Sequence, residues 1–271
     1  MISPSKALNL NPRQKEILNH ARIRGEVQVE PLAETFNVTP QTIRRDLNQL
    51  RELGLLQRVH GGAIVQDGVA NLGYEARRRI SKEEKEAIAK CAADLIPDDT
   101  SLFINIGTTT EQVAQHLIGH VGLLVFTNYI IVANTLWECE TIQVLTAGGI
   151  VRREDGGIVG DATVDFIAQF KVDYAVIGAS AIEEDGTLLD YDPREVRVAQ
   201  AIISHARSVI LVADSTKFER NAPIRIVDIP GVDFFVTDRM PPPAFTAICK
   251  EQGITLLVAS GKGRCDVVVD H

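Results

Sequence analysis

Two groups of side chains in this 271-residue sequence have types and spacing suited to chemistry. The first is Thr39, Gln41, Thr42, Arg44, Arg45 and Asn48, a short run of hydrogen-bonding and cationic groups. Arginine matches guanine O6 and N7 with two donors, glutamine matches adenine N6 and N7, and a threonine at a helix start can hold a phosphate oxygen. Arg58 and His60 follow, at positions where they lie beside a nucleic-acid backbone. Two adjacent arginines on their own describe a solvated helix face at least as well. The second group is Asn105, Gly107, Thr108, Thr109 and Thr110, followed by Asn128 and by Gly148-Gly149. Glycine admits a close backbone approach, and hydroxyls with free N–H groups at a helix start suit a phosphate. Lys217 adds a positive charge, although it can equally pair with Asp214. Asp190 and Glu195 can bond sugar hydroxyls or serve as a general base, but capping and helix-dipole roles account for them as well. Neither GxxxxGK[ST] nor GxGxxG occurs, so a nucleoside triphosphate or dinucleotide lacks its motif and no cofactor is expected.

A helix-turn-helix must position the first group. Asn11-Pro12, Glu30-Pro31 and Thr39-Pro40 read as three helix starts with proline in the first helical position, where its missing N–H costs nothing. They predict helices over 12–24, 31–36 and 40–50, with Asn37-Val38 as the tight turn. Ile43, Leu47 and Leu50 fall at i, i+4 and i+7 and give the third helix one apolar stripe, leaving Gln41, Arg44, Arg45 and Asn48 on other faces. A hairpin over 55–65, turning at His60-Gly61-Gly62, reads as a wing. The expectation for residues 1–66 is therefore an α+β winged helix-turn-helix, whose second helix enters the major groove.

Turn-forming residues over 67–73 and one long charged helix over 75–96 make 67–97 a linker. Arg77-Arg78-Arg79 on that helix reads as a solvated face. Beyond it, near-continuous apolar runs at 101–106, 123–127, 142–146, 173–178, 209–213 and 234–237 alternate with helical patterns at 111–117, 130–137, 163–170, 195–206 and 244–252. That alternation predicts a mostly parallel sheet covered on both faces, an α/β Rossmann-like domain over 98–271. Ligands of such sheets bind beyond the carboxyl ends of the strands, where the second group of residues falls. Trp137 is expected near that site.

Charge is divided in the same way. The chain has 28 Lys+Arg and 36 Asp+Glu, a net −8 that by itself argues against nucleic acid. Residues 1–66 hold 9 and 6 of these, a net +3, and residues 67–271 hold 19 and 30, a net −11. The basic module is the one that can meet phosphates. Cys91, Cys139, Cys249 and Cys265 are scattered without CxxC spacing or a nearby histidine, so four reduced thiols, no metal and a cytoplasmic protein are expected. The first twelve residues lack the apolar run of a secretory signal, and no apolar stretch approaches membrane-spanning length, so no membrane partner is expected.

The chain resembles the DeoR family of bacterial repressors over essentially its whole length. The resemblance rests on Val38-Thr39-Pro40-Gln41-Thr42-Ile43-Arg44-Arg45-Asp46-Leu47, His60-Gly61-Gly62-Ala63, Ile104-Asn105-Ile106-Gly107-Thr108-Thr109, Thr127-Asn128, Ala147-Gly148-Gly149, Gly178-Ala179-Ser180-Ala181-Ile182 and Asp214-Ser215-Thr216-Lys217-Phe218. It implies a winged helix-turn-helix joined to a sugar-phosphate-isomerase-like sensor domain, binding double-stranded operator DNA as a homo-oligomer, dimer or tetramer, and released by a phosphorylated effector. It also implies that residues 107–110, Asn128, Gly148 and Lys217 surround the effector phosphate, with Asp190 and Glu195 in the same site. Within the family, the segments 155–163, 165–170 and 217–222 are most similar to members responding to glycerol 3-phosphate. Fructose 1-phosphate or a deoxyribose phosphate on the same scaffold, and an isomerase-type enzyme, are the alternatives. One departure stands out: relatives often carry a basic residue four or five positions after the glutamate at 195, where this chain has Ala199-Gln200. Arg197 is the expected substitute.

Overall fold

The computed structural model describes residues 10–24, 26–52, 56–59, 62–65, 74–260 and 264–269. The chain divides into two compact units, Met1–Ile80 and Ser81–His271. In the first, α1 (Pro12–Arg24), β1 (Glu26–Gln28), α2 (Val29–Thr35), α3 (Pro40–Glu52), β2 (Leu56–Val59), β3 (Gly62–Val65) and α4 (Tyr74–Arg79) follow in order. Asn11 and Gln14 cap α1 reciprocally, side chain to backbone, at 2.8 and 3.1 Å. Helix α2 starts at Val29, two residues before the expected Pro31, because the backbone leaves β1 directly into the helix. Asn37 adopts φ 49° and supplies the sharp turn into α3. The wing gains a strand that the sequence patterning does not announce: β1 pairs antiparallel with β3, giving the order β1-β3-β2. Ile17, Leu18, Ala21, Leu32, Ala33, Ile43, Leu47, Leu50 and Leu56 form a single core.

The second unit contains α5 (Lys82–Ala93), β4 (Ser101–Ile104), α6 (Thr108–His116), β5 (Leu123–Thr127), α7 (Ile130–Leu136), β6 (Ile142–Thr146), β7 (Ile150–Val151), β8 (Ile158–Val159), α8 (Asp161–Ile167), β9 (Val172–Ile177), β10 (Ala181–Ile182), β11 (Thr187–Asp190), α9 (Pro193–Ser204), β12 (Ala206–Val212), β13 (Ile224–Asp228), β14 (Phe234–Thr237), α10 (Pro243–Glu251), β15 (Thr255–Ser260) and β16 (Arg264–Val269). The main sheet has the order β16-β15-β14-β12-β9-β4-β5-β6. Every neighbouring pair is parallel except β15–β16. The six strands read from the sequence make up its contiguous run β14-β12-β9-β4-β5-β6; β15 and the antiparallel edge β16 are additions. From β4 the chain winds outward through β5 to β6, then returns to β9 on the other side of β4. Helices α5, α6 and α7 pack together and α8 packs with α9, on opposite faces as right-handed crossovers require. The topological switch point lies between β4 and β9.

Three expectations are corrected. The charged segment over 75–96 is two helices: Ser81 takes φ 51° and starts α5 afresh, with Glu83 and Glu84 in its first turn. The residue types of a helix start are present there, but the continuous charge pattern obscures them. Cys91 of α5 and Cys265 of β16, 174 residues apart, form a disulfide with Cα atoms 5.6 Å apart, leaving Cys139 and Cys249 as thiols. Pairing of an edge strand with a helix is invisible to cysteine spacing. Trp137 is 66 % exposed just past the end of α7, the end distant from its N-terminus at the carboxyl edge of the sheet. No helix among the described residues is long and apolar enough to cross a membrane.

Candidate nucleic-acid interface and anion site

In the first unit, the stripe Ile43, Leu47 and Leu50 is buried and leaves Thr39, Gln41, Arg44, Arg45 and Asn48 exposed, with Thr42 half-buried. Thr39 caps α3: its Oγ1 accepts from the Thr42 amide at 3.3 Å and lies 2.9 Å from Thr42 Oγ1. Arg44 reaches Glu30 Oε1 at 3.4 Å, an exposed contact worth little in water. Arg58 pairs through its backbone with Ala63 in the wing. The Arg58 side chain and the whole of His60 lie outside the described residues. Sequence reading passed over Asp46, which is buried in α3 and binds α1. It accepts from Arg13 Nε at 2.6 Å and from Gln14 Nε2 at 3.3 Å, while Gln14 Nε2 also donates to Gln49 at 2.6 Å. These bonds fix the rotation of α3, and hence the direction in which its polar face points.

In the second unit, the turn after β4 is the geometric centre of the predicted group. Asn105 is buried, and its Oδ1 accepts from the Ile106 amide at 2.8 Å. Gly107 is the N-cap of α6, with Thr108, Thr109 and Thr110 forming the buried first turn. Thr110 is committed to the backbone, its hydroxyl bridging Asn105 O at 2.7 Å and Gly107 O at 2.9 Å. It shapes the turn, and the helix N-terminus supplies the positive end of the dipole. One strand away, Asn128 follows β5 and is 1 % exposed; its Nδ2 donates to Ile158 O at 3.1 Å, and Ile158 N donates to Asn128 O at 2.7 Å. After β6, Gly148 O accepts from Thr163 Oγ1 at 2.8 Å. Gly149 sits at φ 148°, where a Cβ would fall 2.8 Å from Val159 O, so glycine is required there for packing.

The hairpin β7–β8 carries the residue that sequence reading missed altogether. Arg152, 8 % exposed, clamps Asp155 with two donors, Nε to Oδ1 at 3.1 Å and Nη2 to Oδ2 at 2.7 Å. Its Nη1 also donates to Glu195 and, at 3.2 Å, to Asp192. Burial opposes the charge on this guanidinium, but the carboxylates of Glu195, Asp155 and Asp192 outweigh it and raise its pKa. This corrects the expectation for Arg197, which instead meets exposed Asp161 at 2.9 Å. The basic partner of Glu195 comes from 43 residues upstream, so no spacing around 195 reveals it. Asp192 caps α9, accepting from the Arg194 amide at 2.9 Å, with Pro193 at the helix start. The buried Asp190 accepts from Ser180 Oγ at 3.2 Å and from the Tyr191 amide at 2.6 Å. Ser180 follows β9, so Asp190 is joined to the switch-point side of the sheet. Gly157 packs against Ile106 so closely that a Cβ would lie 2.4 Å from Ile106 Cδ1, which holds the Arg152 hairpin against the turn after β4.

Two strands along, beyond β12, Asp214 caps the short 3-10 turn Ser215–Glu219 that carries Lys217. Burial pushes the Asp214 carboxyl up, but Lys217, the Thr216 hydroxyl, Lys85 and Arg220 together bring it below the ordinary value. Lys85, 2 % exposed in α5, is a buried cation within the segment that the sequence patterning reads as one long charged helix. Residues 105–110, Asn128, Gly148 and Lys217 thus follow the carboxyl ends of β4, β5, β6 and β12 in the main sheet. Asp190 instead ends β11 of the small β10-β11-β13 sheet and Glu195 lies in the first turn of α9, bonded to Ser180 and Arg152 respectively. No group of histidine, cysteine and carboxylate side chains among the described residues is arranged to hold a metal ion.

A winged helix-turn-helix followed by an α/β sensor with a polar switch-point edge defines a ligand-responsive DNA-binding regulator. The model for the DeoR-like helix-turn-helix domain matches residues 13–69 and that for the DeoR C-terminal sensor domain matches residues 80–239. The chain belongs to the DeoR family. It is 44 % identical to the glycerol-3-phosphate regulon repressor of Escherichia coli K12 over 90 % of this chain and 97 % of that one. It is 43 % identical to the repressor of the same name from Haemophilus influenzae, over 93 % and 98 %. Among solved structures, ribose 5-phosphate isomerase A of Methanocaldococcus jannaschii is similar, at 16 % identity over 51 % of this chain and 55 % of its own, with a TM-score of 0.39. Family membership decides for a transcriptional repressor and against an enzyme of isomerase type.

Proposed function

We propose that this repressor holds an operator through α3 and releases it on binding glycerol 3-phosphate. The observation that carries the effector reading is the buried turn 105–110 opening α6 at the switch point, where a helix N-terminus meets the ligand edge of a doubly wound sheet. The identity to two glycerol-3-phosphate regulon repressors supports the choice of effector. In this reading the amides of residues 107–109 and Lys217 attract the phosphate, and Asp190 and Glu195 accept hydroxyls. Gln41 and Arg45 read base edges, while Thr39, Thr42, Arg44, Asn48, Arg58 and His60 position the helix and wing on the duplex. Paired half-sites call for a homodimer or a dimer of dimers, acting in the cytoplasm.

Operator and effector affinities are then coupled reciprocally, by about 1–3 kcal/mol. A gel-shift titration of the operator against the full chain, with and without glycerol 3-phosphate, tests this. Weakened DNA binding that is matched by weaker effector binding in the presence of DNA is expected. Unchanged operator affinity at saturating glycerol 3-phosphate rejects that effector, and release by another sugar phosphate would replace it on the same scaffold.

A further inference from the structure

Asn128 Oδ1 is buried and has no hydrogen-bond partner among the described residues. It is a carbonyl oxygen, an acceptor only, in a side chain that is 1 % exposed. The orientation of the amide is fixed by its other end. Nδ2 donates to Ile158 O at 3.1 Å, and turning the amide over would set two acceptors against each other there. The donors of the flanking residues and of Ile158 are already used. The Thr127 hydroxyl donates to Ile104 O at 2.8 Å, the Tyr129 amide donates to Thr127 Oγ1 at 3.1 Å, and the Ile158 amide donates to the backbone oxygen of Asn128. A buried acceptor left unpaired is costly, so this atom calls for a donor that the described residues do not supply.

A phosphate ester at neutral pH presents oxygens that accept and none that donate, so it cannot meet that demand and would be repelled. In a polyol or sugar phosphate only the hydroxyl groups donate. We infer that Asn128 is a specificity-determining residue that accepts a hydrogen bond from an effector hydroxyl, and that it does not belong to the phosphate subsite where family resemblance puts it. Asn128 lies one strand spacing, about 5 Å, from the turn that opens α6. A three-carbon ester anchored there by its phosphate spans that distance with its hydroxyl-bearing carbons. The site thereby rejects phosphate esters of the same charge that lack the hydroxyl, because the buried oxygen then stays unpaired.

This inference rests on the proposed effector reading, and a calorimetric titration of the full chain separates the two. The ligands are glycerol 3-phosphate, its two monodeoxy analogues (propane-1,2-diol 1-phosphate and propane-1,3-diol phosphate) and inorganic phosphate. The wild-type chain is expected to bind glycerol 3-phosphate about tenfold to a hundredfold more tightly than one of the analogues. Asn128→Ala should reduce that ratio to about twofold and leave inorganic phosphate binding unchanged. Asn128→Ser, whose hydroxyl can donate to Ile158 O and still accept from the effector, should keep part of the preference for the hydroxyl, and it decides the question if the alanine variant does not fold. Equal losses for glycerol 3-phosphate and inorganic phosphate in either variant, or a hydroxyl preference indifferent to Asn128→Ala, overturn the inference alone. A wild-type chain that binds none of the hydroxylated esters overturns the effector reading as well.

Discussion

Arg152 and Glu195, 43 residues apart, meet as a buried ion pair that joins the β7–β8 hairpin to the first turn of α9. Both side chains are less than a tenth exposed, and the same guanidinium clamps Asp155 with two further donors. Removing one member of such a set leaves the others charged and buried. Arg152→Met is expected to destabilise the second unit by about 3–5 kcal/mol, measured by urea unfolding. Arg152→Lys should recover little, because an ammonium cannot reproduce the planar fork that spans Asp155 and Glu195. Full recovery by lysine would show that charge alone matters there.

In the first unit, the anchor of α3 is expected to govern DNA binding from inside the fold. Asp46→Ala removes the acceptor for Arg13 and Gln14 and should cost about 1–3 kcal/mol of stability. Affinity should fall on all DNA sequences alike, since the helix itself loses its setting. Operator and scrambled-site titrations by fluorescence anisotropy, alongside thermal melts, distinguish this from a loss of base readout.

Gln41→Ala and Arg45→Ala should behave differently. Each removes an exposed side chain of α3 without touching the core, so stability is unchanged while discrimination at one base position falls by about 1–3 kcal/mol. A uniform loss across sequences, together with a shallower salt dependence, would assign the residue to backbone phosphate instead.

Acid stability should report Asp192 and Asp214. Both carboxyls titrate below their ordinary value, Asp192 through its bonds to Arg194 against partial burial, and Asp214 through Lys217 and its neighbours against stronger burial. A lowered folded pKa means that the stability these groups give is complete above the unfolded value near 3.8 and is lost as pH falls through the folded one. Urea unfolding measured from pH 5 down to pH 2 should therefore show its steepest loss below about pH 4. Asp214→Asn should flatten that slope; a slope unaltered in this variant assigns the acid loss to other groups.

Thiol reactivity should divide the four cysteines three ways. Cys139 is half-buried and should alkylate at pH 8 in the folded protein. Cys249 is fully buried, and burial pushes its thiol up to about 11, so it should react only on unfolding. Cys91 and Cys265 should label only after reduction. Mass spectrometry of native, unfolded and reduced samples reads all three outcomes.

The local order of this protein is written in its sequence because it follows from short-range rules. Proline and cap residues set the starts of α1 and α3, the i, i+4, i+7 stripe of Ile43, Leu47 and Leu50 sets the buried side of α3, and apolar runs mark six strands of the main sheet. The Gly107–Thr110 turn was legible for the same reason, since glycine and threonine at a strand-to-helix junction have local physical meaning. The two-residue strands β7, β8 and β10 and the three-residue wing strand β1 were not, because a strand that short is defined by its partner and not by its own pattern.

What tertiary structure alone decided is which charges come together. Arg152 with Glu195, Arg13 with Asp46 and Lys85 beside Asp214 join segments tens of residues or more apart. Each sits in sequence as an ordinary surface charge until folding removes water from around it. Electrostatic partnership depends on distance and burial, and neither is encoded in spacing along the chain. The same holds for Asn128: its identity was plain in the sequence, but only burial and the direction of its amide determine that its free oxygen must be met by a donor.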